Sequence, residues 1–142
     1  MKLNLIIDGI PKINRNIHYT RKGLKYKPET VEENEKYLRA SIINCLPYEF
    51  KPFNGALRIN LLHFVFAPVP SLNNDEMQIL RSGGRVIKPV KPDFTECLAG
   101  LFRALQGTVL ISDAQICEMS DLKRYYGAKP RIEMELEEIN TV

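Results

Sequence analysis

Two aspartates lie about one helix apart in the chain, each at the edge of a predicted regular element. The first, Asp93, follows Lys91 and Pro92 and directly precedes a helix-like stretch that ends at Gly107. The second, Asp113, comes shortly after that glycine. A helix that folds its two ends together would make a site for a hard divalent cation, which prefers oxygen ligands. The spacing therefore predicts metal-assisted phosphate chemistry.

A basic segment near the start of the chain is the second chemical feature. No acid occurs between Gly9 and Pro28, and the cations there are interleaved with His18, Tyr19 and Tyr26. Such a loop can lie along a phosphate backbone and stack on exposed bases. The alternative is a solvated surface loop, because charge runs usually serve solubility. The candidate DNA-contacting residues are Lys12, Arg15, Arg21, Lys22, Lys25, Lys27, Lys88 and Lys91.

Length and composition predict one globular domain over residues 1–142, since a chain of 142 residues can form a core of its own. The apolar run from Leu3 to Ile7 is interrupted by Asn4 and closed by Asp8. That run is too short for a signal peptide or a membrane span, so we expect a cytoplasmic protein without a membrane partner.

The three cysteines, Cys45, Cys97 and Cys117, are odd in number, widely spaced and without a C-x-x-C pair. This pattern supports neither a disulfide framework nor a zinc knuckle. All three are predicted to pack as small apolar residues.

The elements in the first half of the chain begin with a strand over Leu3–Ile7, where apolar residues alternate. A capping box at Thr30–Glu33 predicts the start of a helix that runs to about Leu46. Ala56–Phe66 is the best strand pattern, and His63 within it is interpreted as a core or cross-strand residue rather than a ligand.

The second half begins with a short helix capped by Ser71 and broken at Gly83-Gly84, followed by a mobile arm. Two further strands, Ile116–Tyr126 and Arg131–Ile139, are predicted to form a hairpin through Gly127–Pro130. The fold class is therefore α/β (α+β), a small mixed or antiparallel sheet with two main helices on one face.

The main helix of this half lies between the two aspartates. Its spacing predicts a buried side and an opposite face. The buried side would hold Phe94, Leu98, Leu101, Phe102 and Leu105, and the other face Glu96, Ala99, Gly100 and Arg103.

The order of these features resembles the RusA-type Holliday-junction resolvases, which implies a RusA-like fold. The matching residues are Tyr26-Lys27-Pro28, Lys91-Pro92-Asp93, Ala104–Gly107, Ser112–Gln115, Lys123-Arg124-Tyr125 and Pro130. The resemblance implies a small homodimeric endonuclease that uses Mg²⁺ to cut branched DNA, such as four-way junctions, symmetrically in recombination and repair. It also favours a bacterial or phage origin.

The family motif is Lys-Pro-Asp-x-Asp-Asn with a lysine one helical turn on, followed later by Asp-Asp-x-Gln. Asp93 and Asp113 match it, and the resemblance implies that both are catalytic and bind the metal. The chain departs from the motif at four positions, where the family has aspartate, asparagine, lysine and aspartate. These positions are Thr95, Glu96, Ala99 and Ser112.

Two nearby residues are candidates to compensate for those departures. Glu96 is long enough to reach an ion shared with Asp93 and is a third catalytic candidate, and Arg103 lies one turn beyond Ala99. The alternative is that Asp93 and Thr95 only cap the helix and that Glu96 is a first-turn acid favoured by the dipole.

These observations lead to four hypotheses about the function. The first is a Mg²⁺-dependent junction endonuclease with a variant site, and the second is a non-catalytic branched-DNA-binding protein. A restriction-type nuclease would instead combine Asp93 with Asp121 and Lys123. A protein-binding module acting through the strand Glu133–Glu138 is the fourth.

Overall fold

A computed structural model describes residues 1–9, 18–19, 25–26, 29–89 and 92–140. It confirms the predicted mixed α and β class, with a five-stranded sheet and three helices among the described residues. The elements in chain order are β1 (Lys2–Asp8), β2 (His18–Tyr19), β3 (Lys25–Tyr26), α1 (Glu29–Cys45), β4 (Leu57–Phe66), α2 (Asn74–Arg81), α3 (Phe94–Leu105), β5 (Ile116–Met119), β6 (Leu122–Tyr126) and β7 (Arg131–Glu138).

The ten-residue strand β4 is the centre of the sheet. It pairs antiparallel with β7 along one edge and parallel with β5 and β6 along the other, while β7 also pairs antiparallel with β1. Strand residues alternate between two faces, so one face of the sheet is apolar and the other is polar. The apolar face packs against α1 and α3 and holds Leu5, Ile59, Phe64 and Leu136, all at most 1% exposed.

The prediction of one continuous strand over Ile116–Tyr126 is wrong, because this segment forms two strands, β5 and β6. Asp121 adopts a left-handed conformation with φ of 47°, which interrupts the strand between β5 and β6 without reversing the direction of the chain. Both strands nevertheless lie on β4, since Ser120 N–H donates to Ile59 O at 2.9 Å and Leu62 N–H donates to Asp121 O at 3.1 Å.

The predicted hairpin through Gly127–Pro130 is also wrong, because β4 lies between β6 and β7. A direct β6–β7 pair would leave one edge of β4 with unpaired backbone groups beside side chains such as Val65, which is fully buried. Pairing on both edges of β4 satisfies those groups.

Helix boundaries agree with the sequence at α3 and differ at the starts of α1 and α2. Helix α1 begins at Glu29, so Thr30 lies in its first turn rather than at the cap. Asn73, not Ser71, caps α2: its side chain accepts from Glu76 N at 2.8 Å, and the Glu76 carboxylate accepts from Asn73 N at 2.9 Å. Two capping sequences lie close together there, and the one with a glutamate three residues later forms the capping box.

The buried side of α3 differs from the predicted one. Gly100 was expected on the outer face but is buried, while Phe94, Leu98 and Phe102 are only partly buried. The small residues Cys97, Gly100 and Ala104 on this side let the helix approach the core closely, so the rings of Phe94 and Phe102 lie at its margins. The buried residues are Cys97, Gly100, Leu101, Ala104 and Leu105.

The cysteine prediction holds for Cys97 and is wrong for Cys45 and Cys117, which are exposed. Cys45 is the last residue of α1 and Cys117 lies on the short strand β5, and neither position faces the core. No helix within the described ranges is long and apolar enough to cross a lipid bilayer.

Candidate functional site

Asp93 and Glu96 together form the N-terminal end of α3. Asp93 is the N-cap residue, and its Oδ1 accepts a hydrogen bond from Glu96 N at 2.9 Å. Glu96 lies in the first turn, where the helix dipole favours negative charge. The local fold therefore places two carboxylates and the positive end of a helix side by side.

Arg124 brings a cation to the same region. It extends from β6 towards the helices, in register with Phe64, and Phe64 packs edge-to-face on Phe94 at 6.5 Å between ring centroids. The guanidinium also donates from Nη2 to Lys88 O at 3.4 Å. An arginine at this inward-facing position is therefore held near the start of α3.

The pKa of the Cys97 thiol depends on its burial and on the charged groups around it. Burial raises the pKa of Cys97 to about 12, with Glu96 and Asp93 raising it further and the Arg124 charge opposing them. The three charged groups thus lie close enough to Cys97 to act on it electrostatically, and the thiol itself stays neutral at physiological pH.

Thr95 and Ala99 are both exposed on the outer surface of α3. Arg103, one turn beyond Ala99, lies with Nε 3.9 Å from Oε1 of Glu35 on α1. The candidate compensating cation is therefore oriented towards α1, at the edge of ion-pair distance.

Asp113 begins a short 3₁₀ turn, Asp113–Gln115, beyond the C-terminal end of α3, and is exposed. Gln115 fixes this turn, because its Oε1 accepts from Ile111 N at 2.7 Å and from Ser112 N at 2.9 Å. Its Nε2 donates to the carbonyls of Phe53 and Gly55 at 2.8 and 3.0 Å. The glutamine therefore anchors the turn to the loop that leads into β4.

Asp93 and Asp113 of one chain lie at opposite ends of α3. A twelve-residue helix spans about 18 Å, and Asp113 follows the turn that closes its C-terminal end, where Gly107 N–H donates to Leu110 O at 2.7 Å. The spacing had suggested that the helix would bring its two ends together, and this expectation is wrong. No cluster of three or more His, Cys, Asp or Glu suited to a metal ion occurs among the residues that the structure describes.

The basic candidates lie mostly where the structure gives no description. Lys12, Arg15, Arg21, Lys22, Lys27 and Lys91 lie outside the described residues, and Lys25 lies on β3 without a described side chain. Lys88 is described: its Nζ lies 3.0 Å from Glu76 Oε1 and 3.3 Å from Ser71 O. This lysine therefore ties the segment after α2 to the start of that helix.

The structure does not bring together Asp93, Asp121 and Lys123, the residues of the restriction-type hypothesis. Lys123 is in register with His63, on the polar face of the sheet, whereas Asp93 starts a helix packed on the apolar face. The Asp121 carboxylate contacts Lys123 Nζ and lies 3.1 Å from His63 Nε2. The His63 contact is at ion-pair distance without hydrogen-bond alignment. His63 is thus a cross-strand residue, as predicted.

Two residues that contribute to the site were missed in the sequence. Gln115 was noted only as part of a motif, although the Ser-x-x-Gln spacing of a capping box already indicated its role. Arg124 was likewise noted only as part of the matching segment Lys123-Arg124-Tyr125. Its position midway between Leu122 and Tyr126, which both face inwards, was the available signal.

Comparison with protein families places the chain among enzymes that cleave DNA. The family model of endodeoxyribonuclease RusA matches residues 8–137. The chain belongs to this family, as the resemblance indicated. No curated protein sequence gives a match.

Proposed function

We propose that the protein is a Mg²⁺-dependent endonuclease that cuts branched DNA, with four-way junctions as the substrate. The family match over residues 8–137 carries this proposal. The start of α3 supports it, because Asp93 and Glu96 lie at a helix N-terminus, where backbone N–H groups and the dipole attract phosphate. Arg124 lies near enough to this region for its charge to act on the Cys97 thiol together with the two acids.

The carboxylates at this end of α3 fit a simple magnesium site. Mg²⁺ is usually held by one or two carboxylates, with waters and substrate phosphate oxygens completing the coordination, and Asp93 and Glu96 supply two. Bound there, the ion would polarise a phosphate oxygen and favour ionisation of a coordinated water. A site that combines Asp93 with Asp113 of the same chain does not fit, since α3 separates them.

The protein side chains have separable roles in this proposal. The Glu96 N–H orients Asp93. Arg124 adds positive charge, which would offset the repulsion between a bound phosphate and the two carboxylates. The lysine of the family motif would neutralise charge that develops on the scissile phosphate, and Ala99 has no group for this.

The direct test is single-turnover cleavage of a labelled four-way junction in Mg²⁺ and in EDTA, beside a paired duplex of the same sequence. We expect cutting of the junction in Mg²⁺ alone, and loss of cutting in Asp93→Asn. Asp75→Asn is the matched control, because Asp75 is likewise an acid at the start of a helix, in the first turn of α2. If the protein cuts the junction neither in Mg²⁺ nor in Mn²⁺, the endonuclease proposal is rejected.

The second candidate, a branched-DNA-binding protein with little or no cleavage, is favoured by the exposure of Thr95 and Ala99 at the positions of the family's aspartate and lysine. We expect weak cleavage by the natural protein. The double change Thr95→Asp with Ala99→Lys should raise the rate about a hundredfold or more, through one restored carboxylate and one restored cation.

Ala40→Lys is the control for that gain, because it adds the same charge to an exposed position of α1. Fast cleavage by the natural protein without further gain in the double variant would show that other groups have replaced the missing ones.

We also propose that the working form is a homodimer. A four-way junction needs two cuts at related points, and one chain offers one α3 start, so an isologous pair is the simplest geometry. A pair that sets the two α3 helices in opposite directions would bring Asp93 of one protomer towards the partner's Asp113.

A further inference from the structure

A cavity of about 360 Å³ lies on the polar face of the sheet, where β4 and β6 end and β7 begins. Arg85, Tyr125, Lys129 and Arg131 contribute its functional side chains. The volume is within the range of small-ligand sites, at roughly 300–1,000 Å³. Neither the predicted acids nor the described basic candidate Lys88 lines it.

The loop after α2 forms one wall of this cavity. Val86 pairs with Tyr126 through two backbone hydrogen bonds of 3.1 and 2.9 Å, which extends the sheet beyond β6 and sets Arg85 beside Tyr125. The Arg85 guanidinium carbon lies 5.1 Å from the centroid of the Tyr125 ring. The His63 ring meets the same tyrosine edge-to-face at 5.8 Å. Arg85 is therefore positioned by the backbone and by a cation–π contact.

The cations of the cavity differ in how far they are neutralised. Arg131 is held by Glu133, with Nε to Oε1 at 2.5 Å, and its strand position is opposite Asp8. Within the described part of the chain, Arg85 and Lys129 have no acidic side chain at ion-pair distance. Two uncompensated cations therefore border an aromatic ring.

The remainder of the polar face repels anions. Glu133, Glu135 and Glu137 lie along β7, with Asn60 donating to Glu135 and Glu137 and Arg58 pairing with Glu137. The cavity is thus a positively charged region beside an acidic strip, so an anionic strand would be confined to this end of the sheet.

We propose that this cavity binds an unpaired nucleotide of the DNA substrate, with its phosphate on Arg85 and Lys129 and its base stacked on the Arg85–Tyr125 pair. Stacking on an aromatic ring or a guanidinium plane combined with cation contacts is how proteins hold single-stranded nucleic acid. A base inside a duplex is already stacked between its neighbours, so an unpaired base is the one that can stack on this pair. The start of α3 lies near the same end of β4, because Phe94 contacts Phe64, but it packs on the opposite face of the sheet from the cavity.

This inference rests on the proposed function for the identity of the ligand, and a short probe tests it separately. The probe is a thymidine tetranucleotide titrated into the whole protein, followed by amide NMR shifts. We expect saturable shifts at Gly83, Arg85, Tyr125 and Gly127, abolished in Arg85→Ala with Lys129→Ala. Equal shifts with inorganic phosphate would indicate a plain anion site and overturn the nucleotide assignment.

Binding to larger DNA supplies the second test. Arg85→Ala with Lys129→Ala should weaken binding to a fork with unpaired nucleotides and reduce the slope of log affinity against log salt by up to about 0.7 per lost contact, but leave paired duplex binding unchanged. Tyr125→Leu should cost about tenfold for the fork, and Tyr125→Phe little, since the ring carries the stacking.

Lys36→Ala with Lys51→Ala removes the same charge from exposed positions elsewhere. An equal loss in this control would attribute the effect to net charge and overturn the proposal. Unchanged fork binding in the cavity variant together with intact Mg²⁺-dependent cleavage would reject the cavity site alone. Shifts with the tetranucleotide in a protein that cuts no junction would support the cavity and reject only the endonuclease.

Discussion

Asp93 has a structural role as the N-cap of α3 in addition to its proposed role with the metal, and substitutions can separate the two. Asparagine caps a helix about as well as aspartate, whereas alanine costs roughly 0.5–2 kcal/mol. We therefore expect Asp93→Asn to unfold in urea within about 1 kcal/mol of the natural protein, and Asp93→Ala to be less stable. Both should lose cleavage. A stable Asp93→Asn that cuts at the natural rate would leave Asp93 as a cap only.

Asp121 should make stability depend on pH. The hydrogen bond from Lys123, and then the close approach of the His63 ring, hold the pKa of Asp121 below its usual value. A depressed folded pKa stabilises the fold above the unfolded pKa of about 3.9, and this contribution is lost as pH falls through the folded pKa. The advantage of the natural protein over Asp121→Asn should thus be constant above about pH 5 and shrink below about pH 4.

Urea unfolding from pH 3 to pH 7 measures this difference. Asparagine tolerates the left-handed backbone of residue 121, so the comparison isolates the charge. Lys123→Met should reduce the pH dependence, because it removes the first cause of the shift. A difference that grew as the pH fell would reverse the assignment.

Between helices, Arg39 of α1 clamps the C-terminal end of α3. Its Nη1 and Nη2 donate to Gln106 O at 2.5 and 2.7 Å, and Nη1 also lies 3.3 Å from Ala104 O. The Gln106 carbonyl lies at the helix end, where the cation gives it a hydrogen-bond donor and complements the negative end of the dipole, while the Ala104 carbonyl also accepts from Thr108 Oγ1 at 2.8 Å. The same clamp supports the turn that carries Asp113.

We expect Arg39→Met to lower the free energy of unfolding by about 1.5–3 kcal/mol, as for hydrogen bonds to a charged group. Arg39→Lys should recover part of this, because an ammonium lacks the planar fork. Urea unfolding gives the values, with Lys36→Met on the exposed surface of α1 expected within about 0.5 kcal/mol of the natural protein. Equal effects of the methionine variants would assign no stability to the clamp.

The elements that the sequence predicted are those whose own residues determine them. β1, β4 and α3 have strong period-2 or helical patterns, and Asp93 and Asp113 stand in recognisable motifs. The order of strands was not predictable, because it depends on which edge of β4 each distant strand occupies. The break at Asp121 is likewise hidden, since no glycine or proline marks it within residues 116–126.

At the scale of the whole molecule, the separation of Asp93 and Asp113 makes the proposed dimer testable by complementation. Suppose that each site combines Asp93 of one protomer with the partner's Asp113. Mixing inactive Asp93→Asn and Asp113→Asn chains then leaves one intact site in every mixed dimer. Random exchange should restore about a quarter of the natural nicking rate, since half of the dimers are mixed and half of their sites are intact.

Mixing Asp93→Asn with the double variant Asp93→Asn, Asp113→Asn is the control, because no site is then intact. Sites formed within single chains predict no recovery in either mixture. Sedimentation at micromolar concentration, with subunit exchange followed by labelled chains, checks that mixed dimers form.

The pairing of β1 with β7 joins residues that the ribosome makes far apart in time. Lys2 is in register with Glu137, and Asp8 with Arg131. The backbone groups of the first strand can therefore pair in the sheet only after the last strand has been synthesised. Non-local pairing of this kind slows folding, because the entropy of closing a long loop is lost before contacts compensate for it. During synthesis the backbone groups of β1, and those on the β7 edge of the central strand, therefore stay unpaired in the sheet until about residue 138 has left the exit tunnel. That interval is when chaperone binding or mispairing with another nascent chain is most probable.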